Sequence, residues 1–269
     1  MNNTVRLSVR SIKKSFGEVG ETPLQVIDDF SLDVQDKESV VILGPSGCGK
    51  STLLKIMGGV LPATSGSIVF DGEDQGCEIS RESLKKFGFV FQNNNLLQWR
   101  TVAGNLKFML EVMHLKEKRW YDRIDETLDI VGLKEFKHIF PHELSGGMKQ
   151  RVGIARALVH DPEMLILDQP FGALDAITRE MVSFELLNIW KKTQKTIVMV
   201  TNDVNEAVLL ANRVLIFSPL PAKVVASVDI DIPLEERGPK IMESEKFLHL
   251  STKIGSIIRE IMLEVHNGN

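Results

Sequence analysis

Three short stretches of the 269-residue chain carry residues whose types and spacing can do chemistry. The first is Gly44-Pro45-Ser46-Gly47-Cys48-Gly49-Lys50-Ser51: a glycine, four residues, then glycine, lysine and serine. Glycines so spaced let a loop wrap phosphates with its backbone N–H groups turned inward; Lys50 brings positive charge to the outer phosphates, and the Ser51 hydroxyl can ligate Mg²⁺. The second is the apolar run Met164 to Leu167 ending in Asp168, whose carboxylate can organise the water shell of that ion. The third runs from Leu144 to Arg151, where Ser145 can cap a following helix while Gly146 and Gly147 expose backbone donors at its positive end, a surface suited to a terminal phosphate. The first motif alone says only nucleoside triphosphate, because unrelated kinases and GTPases share it.

The elements that must position these residues follow from hydrophobic periodicity. Arg6 to Ser39 alternates short β-rich pieces with turns, an antiparallel start. Ser39 to Leu43 reads as a buried strand entering the glycine-rich loop and then a helix from Lys50 to Met57. Gly66 to Phe70 and Phe87 to Phe91 read as further strands. Val102 to Gly132 is read as a helical stretch, with Leu106, Met109, Leu110 and Met113 at three-to-four spacing. Strand and helix then alternate: strands at Met164 to Leu167 and Ile197 to Val200, helices at Ser145 to Val159 and Asn205 to Ala211. The core is therefore expected to be α/β and mainly parallel. The division expected is residues 1–220 as one domain with a helical sub-lobe at about 93–160, and 221–269 as a C-terminal extension in which Phe247 to Leu263 has helical spacing.

With 43% hydrophobic residues the chain can bury a substantial core, and a formal net charge of -4 gives no global reason to expect nucleic acid as a partner. Cys48 and Cys77 cannot make a disulfide framework and fit a reducing cytosol. The first ten residues lack a secretion signal's apolar core, and the apolar runs are far shorter than the ~20 residues a membrane-crossing helix needs, so a membrane role is expected to run through a partner.

The Leu144 to Arg151 segment resembles the signature motif of ABC ATPases, and other matches to that family follow in order from Leu7 to Ser218. The resemblance implies a P-loop NTPase, RecA-like core with an antiparallel β subdomain and a helical subdomain carrying the signature motif. It implies that Phe16 stacks on adenine, that Gly44 to Ser51 and Thr52 hold ATP, and that Ser51, Gln92 and Asp168 serve Mg²⁺. It also implies that Ser145, Gly146, Gly147, Gln150 and Asp175 reach the nucleotide of a second subunit. Leu96 to Val102, Gln169 to Arg179 and Val200 to Val208 resemble the ATPases of nitrate, sulfonate and taurine importers. The partners so implied are a second ATPase subunit, identical or different, transmembrane permease subunits and, indirectly, an extracytoplasmic solute-binding protein. The location implied is the cytoplasmic face of a bacterial inner membrane.

Two positions depart from the family pattern. Gln169 stands where the family has its catalytic glutamate, and an amide cannot accept a proton from attacking water. Asn202 stands where the family has its switch histidine; it can still hydrogen-bond a phosphate but lacks imidazole chemistry. Hydrolysis at the chain's own site is expected to be impaired. Gln169 is either an engineered exchange or, with Asn202, the natural mark of the degenerate half of a heterodimer. A soluble ABC ATPase outside transport is the other alternative.

Overall fold

The computed structural model describes residues 4–17 and 22–267. In chain order the strands and helices are β1 (Val5–Phe16), β2 (Leu24–Gln35), β3 (Ser39–Leu43), α1 (Lys50–Met57), β4 (Ser65–Phe70), β5 (Glu73–Asp74) and α2 (Arg81–Leu84). Then come β6 (Phe87–Val90), α3 (Val102–Val112), α4 (Lys118–Ile130), α5 (Gly146–Leu158), β7 (Met164–Asp168) and α6 (Ala176–Thr193). The chain closes with β8 (Thr196–Val200), α7 (Val204–Leu210), β9 (Arg213–Phe217), β10 (Val224–Asp229) and α8 (Glu245–Asn267). Two compact units result, one from Met1–Leu84 with Thr196–Asn269 and one from Lys85–Lys195.

In the first unit an antiparallel sheet of order β2-β1-β4-β5 stands beside strands ordered β10-β9-β3-β8. β3 is flanked by parallel neighbours, Val40 pairing with Val198 of β8 and Val41 with Val214 of β9. All five residues of β3 and of β8 are buried, as continuous apolar strands require when both faces are covered. The segment beyond residue 220 is part of this unit: β10 adds antiparallel to β9, with Val228 opposite Val214. α8 then packs on α7, burying Phe247, Leu250, Ile254 and Ile261 along one stripe. Its strand was illegible because Val224 and Val225 are exposed and only Val228 is buried, which breaks the alternation expected of a half-covered edge.

The second unit holds the parallel pair β6 and β7, Phe87 opposite Met164, with α3, α4, α5 and α6. The helical stretch from Val102 to Gly132 is two helices. His114 adopts the left-handed conformation at φ 59, the Leu115 N–H returns to the Leu110 carbonyl and the His114 N–H to Glu111, which is a Schellman ending with histidine in the usual glycine place. Periodicity ran through this break because Met109, Leu110 and Met113 keep their spacing up to it. The β6 strand stops at Val90, one residue short of Phe91.

His160, after α5, is 5% exposed, and its Nε2–H donates to the Phe87 carbonyl at 3.0 Å. That bond fixes the tautomer, leaving Nδ1 as a buried acceptor with no hydrogen-bond partner among the described residues. Burial pushes the ring's pKa down to about 4. The neutral ring is thus the native form, and the unfolded chain takes up the extra proton once pH drops below the ordinary histidine value of about 6.5. Stability is expected to fall as pH goes from about 7 to 4, by up to ~3 kcal/mol from this residue, and His160→Gln is expected to flatten that part of the curve in urea titrations at several pH values.

Candidate phosphate-binding and signature sites

In the first unit the loop after β3 turns on Gly47 at φ 78 and Gly49 at φ 100, values that side-chain-bearing residues resist. A Cβ on Gly49 would also lie 2.8 Å from Cγ1 of Val26, so glycine is required there twice over. Gly49 starts α1 without a side-chain cap, which leaves the helix's first N–H groups turned to the loop. Ser46 and Gly47 face solvent, Gly44, Pro45, Ser51 and Thr52 are half-buried, and Cys48 and Lys50 are buried. Lys50 is 4% exposed and its ammonium donates to the Gly44 and Pro45 carbonyls, both at 2.7 Å, so the loop's own backbone holds the charge under the curve. Burial pushes the Cys48 thiol up, against the pull of Lys50 at 3.8 Å, which makes it packing rather than a nucleophile.

Phe16 ends β1, is 43% exposed, and has the Lys14 ammonium 5.0 Å from its ring centroid. Such a presented face suits stacking on a base. Asn202 follows β8 and is exposed. The residues on either side of it are bonded to the start of α7. The Thr201 hydroxyl donates to the buried Glu206 carboxylate at 2.5 Å and accepts the Asp203 N–H, while Asp203 caps α7 by accepting from the Asn205 and Glu206 N–H groups at 2.8 and 3.1 Å. Thr201, Asp203 and Glu206 were not singled out from sequence, although Asp203 followed three residues later by Glu206 has the spacing of a helix-start signature.

In the second unit Asp168 ends β7, 6% exposed. Gln169 comes next in the left-handed conformation, φ 45, closed by the Gly172 N–H donating to its carbonyl at 3.1 Å. A point where Gly172 would carry a Cβ lies 3.6 Å from both Oε1 of Gln169 and Nε2 of Gln92, so these two amides converge on one spot. Asp175 caps α6, and the Thr178 N–H it accepts holds its carboxyl below the usual range. Ser145 caps α5 by accepting the Met148 N–H at 3.3 Å. A Cβ on Gly146 would come within 3.2 Å of Leu174 and one on Gly147 within 3.0 Å of Val182, so the start of α5 lies against the loop and helix that carry Asp175. Gln150 is 4% exposed and its Nε2 lacks a hydrogen-bond partner among the described residues.

Among the described residues no three His, Cys, Asp or Glu side chains gather as a metal-binding group. The Ser51, Gln92 and Asp168 oxygens are hard donors that suit Mg²⁺, an ion that keeps waters and takes phosphate oxygens rather than an all-protein cage. No helix among the described residues is long and apolar enough to cross a membrane.

Residues 27–172 match the family model described as ABC transporter. Similar proteins include an aliphatic sulfonates import ATP-binding protein, SsuB, of Bacillus cereus, 41% identical over 92% of this chain and 94% of that one. Another is a taurine import ATP-binding protein, TauB, of Rhizobium johnstonii, 42% identical over 87% and 89% of the two chains. Among solved structures, the ATP-binding cassette MJ0796, a dimer in a post-hydrolysis state with ADP and Pi, superposes with a TM-score of 0.69 at 30% identity, over 84% of this chain and all of that one.

Lys50→Ala removes the cation held beneath the phosphate loop. MgATP affinity measured by calorimetry is expected to fall about 10- to 100-fold, the worth of a charge-assisted hydrogen bond, with the melting temperature little changed.

Proposed function

The chain belongs to the ABC transporter family, in its importer ATPase branch, and from that premise we propose that it binds MgATP, pairs face to face with a second ATPase subunit around the nucleotide, and drives permease subunits that import a small sulfonate-type anion. The observation that carries this reading is the loop at Gly44 to Ser51, with a buried lysine under two left-handed glycines, in a chain alike over nine-tenths of its length to sulfonate import subunits. In this reading Lys50 and the amides of Gly47 to Ser51 bind the phosphates, Phe16 stacks on the base, and Ser145 to Gly147 with Gln150 and Asp175 complete the partner's site. Mg²⁺, served by Ser51, Gln92 and Asp168, supplies charge neutralisation to the transferring phosphoryl group. A solute-binding protein outside the membrane delivers the anion, and the subunit works at the cytoplasmic face without crossing the bilayer.

Gln169 sets the rate. Its amide can hold a water by hydrogen bonding but takes no proton from it, so hydrolysis at this chain's own site is slow while binding persists. Asn202, exposed at the start of α7, can meet a γ-phosphate through its amide. Two departures from the family pattern, Gln169 and Asn202, favour a second reading, in which the chain is the degenerate half of a heterodimer and its signature residues serve an active site on a different subunit. Phosphate release by Gln169→Glu is the discriminating measurement. The homodimer reading predicts a rise of about 100-fold or more, within the range a positioned general base contributes. Turnover that stays at the starting level supports the degenerate-half reading, and rapid multiple turnover by the unsubstituted homodimer overturns the slow-hydrolysis reading.

A further inference from the structure

Arg237 is a buried cation that nucleotide binding does not use. It lies in the irregular stretch between β10 and α8 and is 2% exposed. Its guanidinium reaches backbone carbonyls in two directions. Nε and Nη2 donate to Ile232 at 3.1 and 2.8 Å, and Nη1 donates to Leu209 at 3.0 Å and to Ala211 at 2.7 Å. Leu209 and Ala211 are at the C-terminal end of α7, where carbonyls have no helical partner and the helix dipole is negative. Burial lowers the arginine's pKa to about 10, still charged at neutral pH, so the fold carries the desolvation of a cation that an apolar side chain would avoid. The return is a rigid fork joining residues 232–237 to one end of α7.

α7 has seven residues, about 10 Å, too short to bend between its ends. Five of them, Glu206 to Leu210, are buried. Its other end is knotted by Thr201, Asp203 and Glu206, and Asn202 sits in that knot. We propose that Arg237 is a positioning residue: by gripping the C-terminal carbonyls of α7 it sets where the far end of that helix presents Asn202 to the nucleotide, which gives the segment beyond residue 220 a share in nucleotide sensing. This rests on the reading of Asn202 as the position that meets the γ-phosphate.

Peptide-level hydrogen exchange on the full chain tests it, with Arg237→Met and the milder Arg237→Lys. Exchange at residues 201–206 is expected to rise about ten-fold in Arg237→Met and less in Arg237→Lys, while α1 is unchanged. MgATP is expected to slow exchange at 201–206 in the unsubstituted chain, and this slowing is lost in Arg237→Met although MgATP affinity changes less than about three-fold, since the P-loop is intact. A rise confined to residues 209–211 and 232–237, or slowing by MgATP that survives the substitution, reduces Arg237 to a local staple and overturns the proposal. A rise that includes α1 marks general loosening and does the same for Arg237→Met, in which case Arg237→Lys decides by the same criteria. No slowing by MgATP in the unsubstituted chain, with affinity intact, overturns the reading of Asn202 and this inference with it.

Discussion

A backbone that cradles polyphosphate must turn successive N–H groups inward, and this curvature is what the surrounding structure serves. Gly47 and Gly49 take conformations closed to most residues, and Val26 presses behind Gly49 so closely that no other residue fits. Such a loop holds its shape only between rigid ends. β3 provides one, fully buried between two parallel strands, and α1 the other, with Leu53, Leu54, Ile56 and Met57 buried. Lys50 is shut away from solvent, and its ammonium donates to the loop's carbonyls. A cation so held has already lost side-chain entropy before it meets phosphate oxygens.

Holding and cutting a nucleotide are separable demands, and in the proposed function the chain meets them unequally. In that reading the groups that hold are backbone amides, the buried Lys50 and the starts of α1 and α5. In that reading the position of the catalytic base holds an amide, Gln169, which sits on a left-handed backbone in a turn closed by Gly172. Its side-chain amide converges with that of Gln92 beside Gly172. The segment beyond residue 220 belongs to the holding side, since β10 extends the sheet that carries the P-loop and Arg237 ties it to α7.

The buried strands and the loop were legible because they are local: five apolar residues and then glycines at fixed spacing encode a strand and a phosphate turn without help from the rest of the chain. The break between α3 and α4 was not, because histidine takes a position where glycine would have signalled the end. α6, from Ala176, went unread since its buried and exposed apolar residues, Leu186 and Trp190 against Ile177 and Met181, fall around the helix rather than on one face. The grip of Arg237 on α7 could not be read at all, as its partners there, the Leu209 and Ala211 carbonyls, are backbone groups more than twenty residues away that no side-chain pattern records.

The central claim is that this chain holds MgATP between two subunits and releases it slowly. Sedimentation velocity of the unsubstituted chain with and without MgATP tests it most directly. The account predicts monomer without nucleotide and, with MgATP, a dimer that persists for hours as ATP remains uncleaved. A chain that binds MgATP yet stays monomeric at every protein concentration, or a dimer that forms and decays within minutes as ADP accumulates, would contradict it.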